Sequence, residues 1–248
     1  MRRLVIATAL LAALVTAVPA VAITNGSPDG QAHPNVGGLV AAQQYSDGTW
    51  LYCSGTLISP IVFLTAAHCA EGDRVRVTFD TAYQDGDKVY AGTFYGDPRY
   101  NQAQSDPHDI AVVVLDKAVK GIAPAQLPHA NSLSDLSSSQ SFTSIGYGAY
   151  EVTNGPGGHR YLYDDVRQVA TGTLNSTNPA WLRISMNPST GNGGTCYGDS
   201  GGPNFLGTTS ILAATTITGD AVCRSTNVTY RLDTASARNF LRPYVTLP

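Results

Sequence analysis

Apolar residues along the 248-residue chain occur in short runs that are separated by polar turn sequences. The runs that predict strands cover residues 37–42, 55–67, 75–79, 110–115, 141–145, 210–217 and 228–232. Segments such as Asp85-Gly86 and the glycine-rich stretch 154–158 lie between them, and their residues tolerate turn geometry. Many short strands with frequent turns are typical of sandwiches and barrels, so the pattern predicts an all-β protein.

Helical periodicity is confined to the C-terminal end of the chain. Residues 234–244 place apolar side chains on one face, with Asp233 as the candidate cap and Pro243 as the terminating residue. A polar stretch over residues 117–140 contains two prolines and separates two strand-rich parts. We interpret this stretch as a linker between two halves of the chain.

The first 22 residues have the features of a secretory signal. Arg2 and Arg3 precede a short apolar run, and the small residues Ala20 and Ala22 frame a cleavage site that would leave Ile23 as the new N-terminus. The run is too short and alanine-rich for a membrane span. No comparable apolar run follows, so we expect a secreted, extracellular protein with no membrane partner.

Composition agrees with an extracellular β-rich protein and excludes several partners. Charged residues make up only 13% of the chain, and the formal net charge is −3. Removing residues 1–22 takes away two arginines and no acid, which lowers the charge from −3 to −5. Because there is no basic cluster either, nucleic acid is not an expected partner.

The four cysteines are expected to form disulfides, because an exported protein meets an oxidising environment. Three connectivities can be drawn, and the simplest pairs neighbours, Cys53 with Cys69 and Cys196 with Cys223. The alternative use of cysteines is a metal site. No pair has the C-x-x-C spacing of zinc sites, so we predict no metal.

Three motifs carry residues for peptide-bond hydrolysis by a serine nucleophile. They are Thr65-Ala66-Ala67-His68-Cys69, then a run of apolar residues that begins with Asp109-Ile110-Ala111, then Gly198-Asp199-Ser200-Gly201-Gly202-Pro203. A serine nucleophile needs a base, a group that orients the base, and donors for the developing oxyanion. In these motifs and their order, the chain resembles secreted, bacterial-looking members of the chymotrypsin/trypsin family of serine proteases.

The resemblance extends over the whole chain from Ile23 and implies a fold. We expect two six-stranded antiparallel β-barrels with the active site in the cleft between them, and a short C-terminal helix. The N-terminal barrel, residues 23–128, would carry His68 and Asp109. The C-terminal barrel, residues 129–248, would carry Ser200 and the specificity pocket.

The resemblance also implies the role of each site residue. Ser200 would be the nucleophile, His68 its general base and Asp109 the group that orients the histidine. The backbone amides of Gly198 and Ser200 would form the oxyanion hole. A freed amino group at Ile23 would pair with Asp199 and shape that hole, although the sequence after Ile23 departs from the usual Ile-Val-Gly-Gly. We therefore hypothesise that signal cleavage leaves no separate zymogen stage.

Specificity is expected to follow from four residues that the resemblance assigns to the pocket. Gly194 stands six residues before the nucleophile, where trypsin-like members carry an aspartate, and Thr195 follows it. Thr216 would lie on the pocket wall, and Val228 would make the pocket shallower. These residues predict small or medium apolar side chains before the cut. Asp220 is the nearby acid that could restore a basic preference.

The implied activity requires no cofactor, and the expected partners are protein or peptide substrates. A proteinaceous inhibitor is a further partner of such an enzyme, and we expect a monomer. One alternative is an inactive relative kept as a binding protein, which the intact set of His68, Asp109 and Ser200 argues against. A second alternative is an active enzyme restricted to esters or to one narrow target, which the sequence leaves open.

Overall fold

The computed structural model describes residues 23–248, and the predicted signal segment 1–22 lies outside this range. In chain order, the strands are β1 (Ser27–Pro28), β2 (Val36–Val40), β3 (Leu51–Ser59), β4 (Val62–Thr65), β5 (Arg74–Thr78), β6 (Tyr90–Gly96), β7 (Ala111–Leu115), β8 (Ser141–Gly146), β9 (Glu151–Gly155), β10 (Gly158–Leu162), β11 (Gln168–Thr177), β12 (Trp181–Ser185), β13 (Pro203–Leu206), β14 (Leu212–Gly219) and β15 (Thr226–Arg231). Short 3-10 helices span Ala67–Cys69 and Pro188–Thr190, and the helix α1 spans Ala235–Leu241.

The first half of the chain closes into a barrel of six antiparallel strands in the order β2-β3-β4-β7-β6-β5. Strand β2 pairs with β5, which closes the barrel. The apolar runs of β3, β4 and β7 fill the interior with fully buried side chains, among them Leu57, Phe63 and Val113. β-Branched and aromatic residues pack well on the pleated, buried surface of a sheet, which is why these short runs form strands.

The second half forms another closed barrel from β8, β11, β12, β15, β14 and β13. The pairing of β11 with β8 closes this barrel, and β1 adds to the outside of β11. Strands β9 and β10 form a separate hairpin. The predicted all-β fold of two six-stranded antiparallel barrels and one short helix is confirmed.

Two local predictions were wrong in detail. The run 55–67 is not one strand but the end of β3 and the whole of β4, because the chain turns between Ser59 and Val62, where Pro60 cannot donate a ladder hydrogen bond. The C-terminal helix is shorter than 234–244, and its cap is Thr234, whose side chain accepts a bond from the N–H of Ala237. Asp233 instead pairs with Arg231.

Between β7 and β8, the described chain contains no named strand or helix over residues 116–140. This agrees with the interpretation of the stretch as a connection between halves. The division of the chain into 23–128 and 129–248 stays a prediction.

The segment that precedes β11 fastens the second barrel to the first. The carboxylate of Asp165 accepts hydrogen bonds from the N–H groups of Trp50 and Leu51, at 2.7 and 3.0 Å. The guanidinium of Arg167 is fully buried and donates to the carbonyl oxygens of Val36 and Phe79 in the first half of the chain. These bonds fix the relative position of the two barrels and therefore the width of the cleft between them.

Both predicted disulfides are present, Cys53–Cys69 in the first half and Cys196–Cys223 in the second. The first joins β3 to the 3-10 helix at Ala67–Cys69, and all four cysteines line the cleft between the barrels. Among the described residues, no helix has the length and apolar character needed to cross a membrane.

Candidate active site

A cavity of about 670 Å³ opens between the barrels and contains residues from both. His68, Cys53 and Cys69 reach it from the first barrel, and Ser200 and Thr216 reach it from the second. The structure therefore brings the predicted base and the predicted nucleophile, which are 132 positions apart in the sequence, into one cleft. A cleft of this kind between two domains is a common place for an active site.

The geometry of His68 suits a general base. The residue lies in the short 3-10 helix that follows β4, and the adjacent Cys69 is bonded to Cys53 of β3. The Nδ1 of His68 lies 2.8 Å from Oδ2 of Asp109, and the backbone N–H of His68 donates to Oδ1 at 3.0 Å. An ionised carboxylate only accepts hydrogen bonds, so Nδ1 carries a proton and Nε2 can accept one.

Asp109 is fully buried just before β7. Both of its oxygens are used by His68, which fixes the orientation of the imidazole ring. The preceding His108 adopts a φ of +50° and its Nδ1 lies 2.9 Å from Oγ of Ser236. His108 therefore faces the C-terminal helix, away from the pair formed by His68 and Asp109.

Around Ser200, some backbone N–H groups donate hydrogen bonds within the described part of the protein and others are free. The N–H groups of Asp199, Gly201 and Gly202 each donate to a carbonyl oxygen. Within the described chain, the N–H groups of Gly198 and Ser200 donate to none. Two unpaired amides beside a nucleophile can bind an oxyanion. The φ of +95° at Gly198 requires glycine, and an added Cβ would come within 2.9 Å of Gly148.

Asp199 lies beside the predicted nucleophile, Ser200, and is fully buried. Its carboxylate accepts hydrogen bonds from the N–H groups of Gly148 and Cys196, both at 2.8 Å. Burial raises the pKa of Asp199 to about 7, and these two hydrogen bonds oppose the rise without cancelling it. Among residues 23–248, Asp199 has no cationic partner.

Ile23 is also fully buried, and its neighbour Thr24 bridges to the segment before the nucleophile. The N–H of Gly194 donates to the carbonyl oxygen of Thr24 at 3.0 Å. The two residues predicted to form an ion pair are therefore both inside the second half of the molecule. The φ of Ile23 is +61°, a strained value for a β-branched residue.

The four predicted specificity residues are placed differently relative to the cleft. Thr195 and Thr216 line it, while Gly194 and Val228 do not. The space in front of Gly194 is filled by the buried Met186, because a Cβ on this glycine would lie 2.3 Å from the Cγ and Sδ atoms of Met186. Val228 is half-buried and lies opposite Thr218 in the neighbouring strand.

Asp220 lines the cleft, but its carboxylate is bound to its own turn. The N–H groups of Arg224, Ser225 and Thr226 donate to it at 2.7–3.2 Å. Partial burial raises the pKa of Asp220, and the three backbone hydrogen bonds outweigh that effect and lower it. Asp220 is therefore an ionised cap of the turn that contains Cys223.

Several other residues of the cleft could not be found from the sequence. Tyrosines form much of its wall, namely Tyr45, Tyr52, Tyr163 and Tyr197. The acids Asp47 and Glu71 also line it. These residues belong to no motif, and they come from β3 (Tyr52) and from loops and turns that are distant in the sequence. Only the docking of the barrels identifies them. Met186 was missed for the same reason.

The sulfur atoms of Cys53 and Cys69 lie close to the imidazole of His68 in an arrangement that superficially suits a metal ion. Both sulfurs are bonded to each other in a disulfide. Because thiolates are the form of cysteine that binds metals, this group offers only His68 as a ligand.

Comparison with known proteins gives the same fold and a family. A model of the trypsin family matches residues 27–239. A solved structure titled HL collagenase is similar with a TM-score of 0.69 and 20% sequence identity, over 89% of this chain and 97% of the other. At this identity the likeness concerns the fold. A search among curated proteins finds no match.

Proposed function

The chain belongs to the trypsin family and is a serine endopeptidase, and from this premise we propose that it cuts peptide bonds with Ser200 as nucleophile, His68 as base and Asp109 as the orienting acid. One observation carries this assignment. The buried Asp109 binds the imidazole of His68 through Oδ2 and its backbone N–H through Oδ1, and His68 lies in the same cleft as Ser200. The free amides of Gly198 and Ser200 support it.

The reaction proceeds in two halves. The Oγ of Ser200 bonds to the carbonyl carbon of the substrate as Nε2 of His68 takes its proton. The resulting oxyanion binds the N–H groups of Gly198 and Ser200. The carbon–nitrogen bond then breaks, and His68 gives its proton to the leaving amine. A water molecule, activated by His68, cleaves the acyl-enzyme and restores Ser200.

For specificity, we propose small or medium apolar side chains before the cut. Gly194 has no side chain and so supplies no carboxylate for a basic side chain, and Met186 occupies the space in front of it. The hydroxyl-bearing Thr195 and Thr216 give a neutral wall. Asp220 is a poor substitute for the missing acid, since three backbone N–H groups already surround its carboxylate.

We further propose that the protein is secreted and that signal cleavage before Ile23 produces the active N-terminus. The paired cysteines suit an extracellular protein. The buried Asp199 has acceptor capacity left for a cation, and Ile23 is buried in the same half of the molecule. No zymogen stage would then remain after export. A purified active form that begins upstream of Ile23 would contradict this proposal.

The first experiment compares the secreted wild type with Ser200→Ala. We expect the wild type to begin at Ile23 by intact mass, to cut a mixed peptide library, and to be blocked by a serine-directed covalent inhibitor. Ser200→Ala should leave the library uncut. If the correctly processed and folded wild type cut no peptide, the binding-protein or narrow-target function would replace the proposal.

A further inference from the structure

The loop that offers the two free amides is attached to the first barrel by Ser54. This residue lies in β3 directly after Cys53 and is fully buried. Its Oγ donates to the carbonyl oxygen of Gly198 at 3.0 Å and accepts from the N–H of Tyr147 at 3.0 Å. Its backbone N–H donates to the carbonyl oxygen of Ser200 at 2.8 Å.

The N–H of Gly198 shares its peptide with the carbonyl of Tyr197, and C=O and N–H lie on opposite sides of a trans peptide. The carbonyl of Tyr197 accepts from Ala149, which directs the N–H of Gly198 the other way. The next peptide is fixed at the carbonyl of Gly198 by the Ser54 hydroxyl. Without that bond, glycine at this position has wide conformational freedom and the loop can rotate.

Ser54 also connects the loop to a second segment of the C-terminal barrel. Tyr147, which donates to the hydroxyl, precedes Gly148, whose N–H binds the carboxylate of Asp199. The single hydroxyl of Ser54 therefore uses its only proton for one segment and accepts a bond from the other. Its removal would leave a buried carbonyl and a buried N–H without partners.

We propose that the side chain of Ser54 is a positioning residue for the oxyanion hole, acting from the opposite barrel through the carbonyl of Gly198. It touches neither the nucleophile side chain nor the space for the substrate. The inference rests on the proposed function of Ser200 and Gly198. It adds that the hole is assembled between the two barrels and is not complete in the second barrel alone.

The test is Ser54→Ala, which removes the hydroxyl and keeps the backbone bond to Ser200. We expect kcat to fall by about 10-fold to about 100-fold, with KM changed by less than about twofold, because the loss concerns the transition state. A peptide boronate that forms a tetrahedral adduct with serine should lose affinity by a similar factor. Rates are expressed per active site, counted by burst titration, so that an unfolded fraction does not affect them.

Ser144→Ala is the matched control. Ser144 is likewise buried, and its Oγ binds Oδ1 of Asn204 at 2.7 Å inside the second barrel, with no contact to the loop. We expect a comparable loss of thermal stability with kcat unchanged. If Ser54→Ala and Ser144→Ala had the same kcat and the same boronate affinity, the proposal would be overturned. Equal activity of wild type and Ser200→Ala would instead overturn the proposed function.

Discussion

At the scale of single residues, the site depends on a few backbone conformations that only one residue type adopts easily. Gly198 is the clearest case, because its φ of +95° and the nearby Gly148 leave no room for a side chain. Hydrogen-bond donors aimed at a developing charge contribute to catalysis only when their direction is fixed in advance. In the proposed mechanism, the need for glycine at this position therefore follows from the direction of its N–H.

Gly198→Ala is expected to lower kcat by about 100-fold or more, because the added Cβ would force the N–H of residue 198 out of the hole. Steady-state kinetics on a library-derived peptide would measure this effect. Gly86→Ala is a matched control, since Gly86 has a φ of +93° and no atom within 4 Å of an added Cβ. The control should show the strain as lower stability while its kcat stays at the wild-type value. A similar kcat loss in both variants would contradict the oxyanion role of Gly198.

At the scale of elements, the sequence predicts strands well where apolar residues alternate with polar ones, as in β5, or follow one another without interruption, as in β7. The runs 75–79 and 110–115 correspond closely to β5 and β7. Strand β11 was not predicted, although buried residues alternate along its first part. After Val169, its outward positions are threonine, asparagine and serine, which give little contrast with turn sequences.

The same limit applies to the site. The motifs around His68, Asp109 and Ser200 could be found because each is a compact string with a known chemical requirement. Ser54 and Met186 could not, since their contacts with Gly198 and Gly194 exist only once distant strands pack together. Sequence reasoning therefore identifies the proposed reacting groups more readily than the residues that pack around them.

The attachment of β11 to the first barrel leads to a prediction about stability. Arg167→Met should lower the free energy of unfolding by about 4 kcal/mol, because the buried Asp29 and several carbonyl groups would lose their cationic partner. Urea denaturation would measure this value. Arg183→Met, on the exposed side of β12, should change it by less than about 0.5 kcal/mol. Equal stability of Arg167→Met and wild type would show that the inter-barrel bonds are unimportant.

At the scale of the whole molecule, both barrels form the cleft, and the start of the described chain is buried in the second half. His68 comes from the first barrel, Ser200 from the second, and Ile23 is buried in the second. The charge state of Asp199 relates the N-terminus to the active site. This carboxyl group is buried next to Ser200 and lacks a cation among the described residues. A free amino group at Ile23 would supply that cation.

We therefore predict that the free energy of unfolding depends differently on pH in a chain that begins at Ile23 and in a chain that retains Ala22. Both chains carry Ser200→Ala to prevent self-cleavage. In the longer chain, burial raises the pKa of Asp199 from 3.8 to about 7. The folded state then binds the proton more tightly than the unfolded state. Stability is greatest below the unfolded pKa and falls as the pH rises through 7, by about 4 kcal/mol in total.

In the chain that begins at Ile23, the ammonium group should keep Asp199 ionised, so this loss should not occur until the amine deprotonates above about pH 8. Urea denaturation at pH 4, 6 and 8 should therefore give curves that diverge with rising pH, with the shorter chain more stable at pH 8. Asp199→Asn in both chains removes the titrating group and should remove the divergence. Parallel pH profiles for the two original chains would exclude an ion pair between Ile23 and Asp199, and with it activation by signal cleavage alone.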